Sequence, residues 1–113
     1  MKEMYLPSKM LYGQNLGKST AIITDGRFSG TNNGCFVGHI SPEAAEGGPI
    51  ALIHDGDEIS IDIRNKLLTL NVSEGELDAR RSKWTYRSRA GLKGYLARYA
   101  KLVRSASEGA ILE

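Results

Sequence analysis

One cysteine, Cys35, stands among the 113 residues. A single thiol excludes a disulfide framework and any cysteine-rich zinc site built from this chain alone. It also fits a reducing compartment, so a cytoplasmic location is expected. No apolar run approaches the ~18 residues of a membrane-spanning helix. The start, Met1 to Tyr5, has no long apolar stretch after its charge and does not read as a signal peptide. Aromatics are sparse, at 7% with one tryptophan, so no regular stacking platform for nucleic-acid bases is present.

Charge of one sign is also scarce overall, with a net of +2. The cations are uneven, however. Arg80, Arg81, Lys83, Arg87, Arg89, Lys93, Arg98, Lys101 and Arg104 all lie in the last third. An RNA-binding or anionic-partner surface would show this bias, but so would a solvated face or a contact between subunits, and the second reading is favoured. The composition, 41% hydrophobic and 25% charged with 13 glycines, is that of a folded, loop-rich domain. The length suits one domain over residues 1–113, able to bury roughly two thirds of its unfolded surface.

Strand signals dominate the middle of the chain. Residues 20–24, 35–40 and 49–53 are short apolar runs of strand length. Ile59, Ile61 and Ile63 alternate with polar residues, as do Leu68, Leu70 and Val72, which predicts a hairpin turning at Arg64-Asn65. Asp55-Gly56-Asp57 has turn chemistry. Helix signals sit at the edges: a turn or two over 7–12, a short helix begun by Ser41 and Pro42 and ended by Gly47-Gly48, and a capping box at Ser73 and Glu76 opening a helix to about Trp84. Residues 85–91 read as irregular, and helical spacing returns over 93–104. The expected class is α+β, β-rich, with a partly closed barrel and peripheral helices.

Familiar signatures fail on inspection. Gly17-Lys18-Ser19 has Tyr12 where a P-loop needs its first glycine, and it precedes the strand instead of following it. Gly26-Arg27-Phe28-Ser29-Gly30 carries its serine one place too late for a nucleophile elbow. Asp55-Gly56-Asp57 lacks the other ligands of an EF-hand. His39 and His54, the only histidines, lie on different segments, and separate structural or exposed roles are favoured over a metal pair.

The loop from Asp25 to Gly34 remains. It follows an apolar strand, so it leaves a strand's carboxyl end, where sites often gather. Asp25, Arg27, Ser29 and Thr31 fall within seven residues, and flanking glycines would let backbone amides approach a ligand. Arg27 could hold a carboxylate and favour ionisation of a neighbouring hydroxyl. A serine acts as a base only with such help. On chemistry alone, a polar site and a plain Asp/Ser-rich turn both stay open.

Thr24-Asp25-Gly26-Arg27-Phe28-Ser29-Gly30, followed by Gly38-His39-Ile40-Ser41-Pro42-Glu43-Ala44, resembles the paired signature of the dihydroxy-acid and phosphogluconate dehydratase family. Asp55-Gly56-Asp57 leading into Ile61-Asp62-Ile63 fits as well. The tail Gly94 to Val103 is more similar to the dihydroxy-acid branch than to the sugar-acid branches. The resemblance implies the carboxy-terminal domain of a hydro-lyase that converts 2,3-dihydroxy acids, precursors of branched-chain amino acids, to 2-keto acids. It implies a swivelling β/β/α fold, barrel-like, capping a larger amino-terminal domain.

It further implies an iron–sulfur cluster acting as Lewis acid on the departing 3-hydroxyl and Mg²⁺ at the substrate carboxylate. By position Ser29 becomes the base that takes the C2 proton, with Arg27 and Thr31 as substrate contacts and Glu3 as a magnesium ligand. The cluster cysteines belong to the amino-terminal domain, so the isolated chain is expected to be inactive, and the family implies a homo-oligomer. Met1 falls inside a stretch similar to a family motif, which implies an excised, split or truncated piece of a longer protein. Asn32-Asn33 departs from the family pattern. A stand-alone binding module of the same fold, a domain of a sugar-acid dehydratase, and a nucleic-acid binder resting only on the basic tail are the alternatives.

Overall fold

The computed structural model describes residues 4–30, 34–87 and 90–113. They form a small α+β structure of three α-helices and two separate two-stranded sheets, with no closed barrel among the described residues. The chain divides into two compact units, residues 1–41 with 102–113, and residues 42–101.

The first unit begins with helix α1 (Tyr5–Gly13). Pro7 lies in its first turn, where its missing N–H costs nothing. Ser8, buried inside the helix, returns its hydroxyl to the Met4 carbonyl at 2.9 Å. Strands β1 (Ala21–Ile23) and β2 (Cys35–Val37) pair in parallel, Ala21 opposite Cys35 and Ile23 opposite Val37. Both are shorter than the apolar runs expected at 20–24 and 35–40. The second ends early because His39 leaves the extended conformation, at φ 57°. The unit closes with the tail. Val103 bridges Leu112, and the Arg104 N–H donates to the Ile111 carbonyl across a short 3-10 turn, Ala106–Glu108.

The second unit holds the hairpin of β3 (Ile59–Asp62) and β4 (Leu67–Leu70), paired antiparallel with Ile61 opposite Leu68 and Ile59 opposite Leu70. The alternation read from the sequence therefore places these four on one face. The turn spans residues 63–66, two more than expected. Asp62 organises it, its carboxylate accepting the Asn65 backbone N–H at 3.0 Å and the Asn65 amide at 2.7 Å. Those bonds, the backbone N–H first, hold the Asp62 pKa below its usual range.

Helix α2 (Glu74–Lys83) starts as expected: the Ser73 hydroxyl accepts the Glu76 N–H at 3.3 Å. Glu74 and Glu76 lie in its first turn and Arg80, Arg81 and Lys83 in the last, which suits the helix dipole and accounts for part of the basic bias. Helix α3 covers Gly94–Leu102, inside the expected 93–104.

Two expectations are corrected. Residues 49–53 do not form a strand; Pro49–Leu52 is a 3-10 helix. Proline fixes φ near the helical value at the first position, and a five-residue apolar run does not by itself distinguish strand from buried helix. The short helix before it starts at Ala44, not Pro42: Ala44–Glu46 is 3-10, with Glu43 at its cap and no side-chain cap bond from Ser41. Ser41 instead lies 3.4 Å from the Ser105 hydroxyl. The core of this unit centres on Leu52, 2% exposed, with Leu77 of α2 also buried.

Candidate functional site

Because β1 and β2 run parallel, their carboxyl ends lie on one edge of the sheet, and the segment between them is the crossover itself. Backbone bonds pin both exits. Thr24 N–H donates to the Val37 carbonyl at 3.0 Å, Ile40 N–H to the Thr24 carbonyl at 3.2 Å, and His39 N–H to the Gly26 carbonyl at 3.0 Å. The Thr24 hydroxyl accepts the Gly26 N–H at 2.9 Å, a local turn that bends the chain out of β1 and buries Gly26.

The loop is then held by an aromatic anchor. The Phe28 ring stacks on Phe36 of β2 with centroids 5.6 Å apart. It also covers Gly38, where an added Cβ would lie 3.1 Å from the Phe28 ring and 3.4 Å from the Gly26 carbonyl oxygen. Gly38 is therefore the space that lets Phe28 sit down. On the far side, Gly30 at φ 81° rests beside the Tyr5 ring of α1. Between these fixed points Arg27 and Ser29 are both exposed, while Asp25 is half-buried. The structure thus brings Arg27 and Ser29 together on one short, anchored and solvent-facing segment. Thr31 and Glu3 lie outside the described residues.

Among the described residues no group of three or more histidine, cysteine or acidic side chains could hold a metal ion. Cys35 sits half-buried within β2. One thiol does not match the several cysteines an iron–sulfur cluster takes. No described helix is long and apolar enough to cross a membrane.

The second unit carries a clamp that the sequence reading did not find. Arg80 grips the Asp57 carboxylate with both terminal nitrogens, at 2.5 and 3.1 Å, and donates to the Leu52 carbonyl at 2.9 Å. Its Nε donates to Glu76 at 2.8 Å. The Asp57 Oδ2 that Arg80 Nη1 holds also accepts the His54 backbone N–H at 2.7 Å, closing the Asp55-Gly56 turn, with Gly56 at φ 92°. The Arg80 bond, then the His54 N–H, lowers the Asp57 pKa to about 2, and the bonds to Asp57 and then Glu76 raise that of Arg80. One side chain of α2 therefore ties down the 3-10 helix and the turn entering β3. The only sequence hint was the Glu76–Arg80 spacing of four. Beside it, a recess of about 630 Å³ is lined by residues including Ala51, Lys83, Trp84 and Arg87.

The model of the dihydroxy-acid/6-phosphogluconate dehydratase carboxy-terminal family matches residues 1–110. The chain belongs to this family. It is 55% identical over 112 residues to the dihydroxy-acid dehydratase of Syntrophobacter fumaroxidans, covering 99% of this chain and 20% of that protein. The dihydroxy-acid dehydratase of Lachnospira eligens is 55% identical over 113 residues, covering 100% of this chain and 20% of that protein. That of Pyrococcus furiosus is 54% identical over 112 residues, covering 99% of this chain and 20% of that protein. The chain therefore spans about a fifth of the length of the curated relatives it matches. The Thr24–Gly30 segment leaves β1 and the Gly38–Ala44 segment leaves β2, so the two stretches that carry the resemblance lie at the exits of the parallel pair.

Proposed function

We propose that this chain is the active-site-capping domain of a dihydroxy-acid dehydratase, acting as one unit over residues 1–113 and inactive without the amino-terminal part of the enzyme. The observation that carries the proposal is the identity of about 55% along the whole chain to proteins named dihydroxy-acid dehydratase. The reaction is loss of water from a 2,3-dihydroxy acid to give a 2-keto acid. Ser29 is the base for the C2 proton. Arg27, two residues away and exposed beside it, pairs with the substrate carboxylate and favours the serine anion. Thr31 is a second substrate contact and Glu3 a magnesium ligand shared with the rest of the enzyme.

The described residues do not fit an iron–sulfur cluster, so the proposal assigns the cluster ligands to the amino-terminal domain. The barrel-like swivelling arrangement, the homo-oligomer and a cytoplasmic location belong to the same reading. What supports the role of the loop is its construction: a rigid aromatic anchor on one side of Ser29, a glycine on the other, and a polar exposed segment between.

The test is Ser29→Ala in the complete dehydratase. Turnover is expected to fall by ~10²–10⁴-fold while the cluster absorbance is retained. Parental turnover with a fully loaded cluster would refute the assignment of Ser29.

A further inference from the structure

Ser29 has no partner among the hydrogen bonds described above that could carry a proton away from it, and Arg27 cannot serve, since a guanidinium stays protonated in proteins. A serine base that has taken a proton must lose it before the next turnover. Phe28 and Gly38 are in contact across the loop, an added Cβ at Gly38 falling 3.1 Å from the Phe28 ring. Ser29 and His39 are the residues that follow each of these two, and both are exposed. His39 holds φ 57°, a left-handed backbone uncommon for a residue with a side chain, and its N–H is fixed to the Gly26 carbonyl at 3.0 Å. Strain of this kind persists where surrounding structure imposes it, and it concentrates at working sites. Glycine would adopt this turn without strain, yet an imidazole stands there.

We infer that His39 is the proton acceptor that restores the basic form of Ser29 in each turnover, an inference that rests on Ser29 being the base. In the forward step the C2–H bond breaks and its proton passes to Ser29 Oγ. The C–H electron pair becomes the C2–C3 double bond as the C3–O bond breaks and hydroxide departs. Ser29 then gives its proton to an imidazole nitrogen of His39, through water admitted at the exposed edge, and regains its anionic form. The imidazolium releases the proton to solvent, where it completes a water molecule with the departed hydroxide. Among the described residues of the two strand exits, 24–30 and 38–40, the charged side chains are Asp25 and Arg27. Of these residues only His39 carries an imidazole, the side-chain type suited to taking up and releasing a proton within a cycle.

The test is His39→Gly in the complete dehydratase, assayed in a non-nucleophilic buffer with and without added imidazole. Glycine keeps the left-handed turn and removes only the ring, so the loop is retained. The expected result is a kcat about 10²-fold lower with KM unchanged, recovering in proportion to free imidazole. Parental kcat without imidazole, or a loss that imidazole does not restore, overturns the relay. Ser29→Ala separates the two claims. Full turnover by Ser29→Ala overturns the base and the relay together, whereas its failure beside a fully active His39→Gly overturns the relay alone.

Discussion

Gly48 gives a test of how tightly the second unit is built. Its φ of −60° sits at the cap of the Pro49–Leu52 3-10 helix, a backbone any residue adopts. Space, not conformation, demands glycine there. A Cβ at Gly48 would lie 1.9 Å from the Pro42 carbonyl oxygen, 2.6 Å from the Pro42 carbonyl carbon and 3.1 Å from the Glu43 oxygen. All three are backbone atoms, so no side chain can swing aside. To reach an ordinary contact the first separation must open from 1.9 Å to at least 3.4 Å. That movement pulls on the Gly48 N–H bond to the Glu43 carbonyl, now 3.1 Å. Overpacking costs ~1–3 kcal/mol, and loss of a buried backbone hydrogen bond adds ~1 kcal/mol. Gly48→Ala should therefore destabilise by about 2–4 kcal/mol.

Gly56 is the comparison. It holds φ 92° with nothing within 4 Å of an added Cβ, so Gly56→Ala should cost only the left-handed backbone penalty of ~1–2 kcal/mol. Urea unfolding followed by fluorescence of Trp84, the single tryptophan, reads this region directly, because its ring lies 3.3 Å from a Cβ built on neighbouring Gly47. Gly48→Ala should lower the urea midpoint further than Gly56→Ala at equal slope. A Gly48→Ala midpoint equal to the parent's, or above that of Gly56→Ala, would refute the steric reasoning.

Two further outcomes follow from the same unit. Leu52→Ala removes its most buried side chain, 2% exposed, and should destabilise by ~2–5 kcal/mol in the same urea assay; a change below 1 kcal/mol would show that the site is not close-packed. Asp57, held by Arg80 at a pKa of about 2 against an ordinary 3.8, contributes stability that is fully present above the unfolded value and is lost as pH falls through about 2. Between pH 4 and pH 2 the unfolded state binds the extra proton, so the parent should lose stability more steeply than Asp57→Asn, and parallel acid titrations of the two would contradict the clamp.

The sequence alone determined what depends on neighbours in the chain. Ser73 and Glu76 mark the start of α2 because a cap needs only three-residue spacing. The hairpin is legible because alternation is local. The Thr24–Gly30 segment is legible as a glycine-rich loop after an apolar run, and its family resemblance stands with the match over residues 1–110.

Tertiary structure decided what depends on residues far apart. Residues 49–53 carry the same apolar signal as a strand, yet Pro49–Leu52 folds as a 3-10 helix that packs against α2, with the Leu52 carbonyl held by Arg80. Asp57 and Arg80 read separately as a turn residue and a surface cation, and only folding joins them. The parallel pairing of β1 with β2 places Gly26 under His39, and Phe28 on Gly38. No periodicity encodes that pairing, because the strands are short and joined by the loop itself. The sequence named Ser29; the fold set it on an anchored segment and put a strained histidine at the neighbouring strand exit.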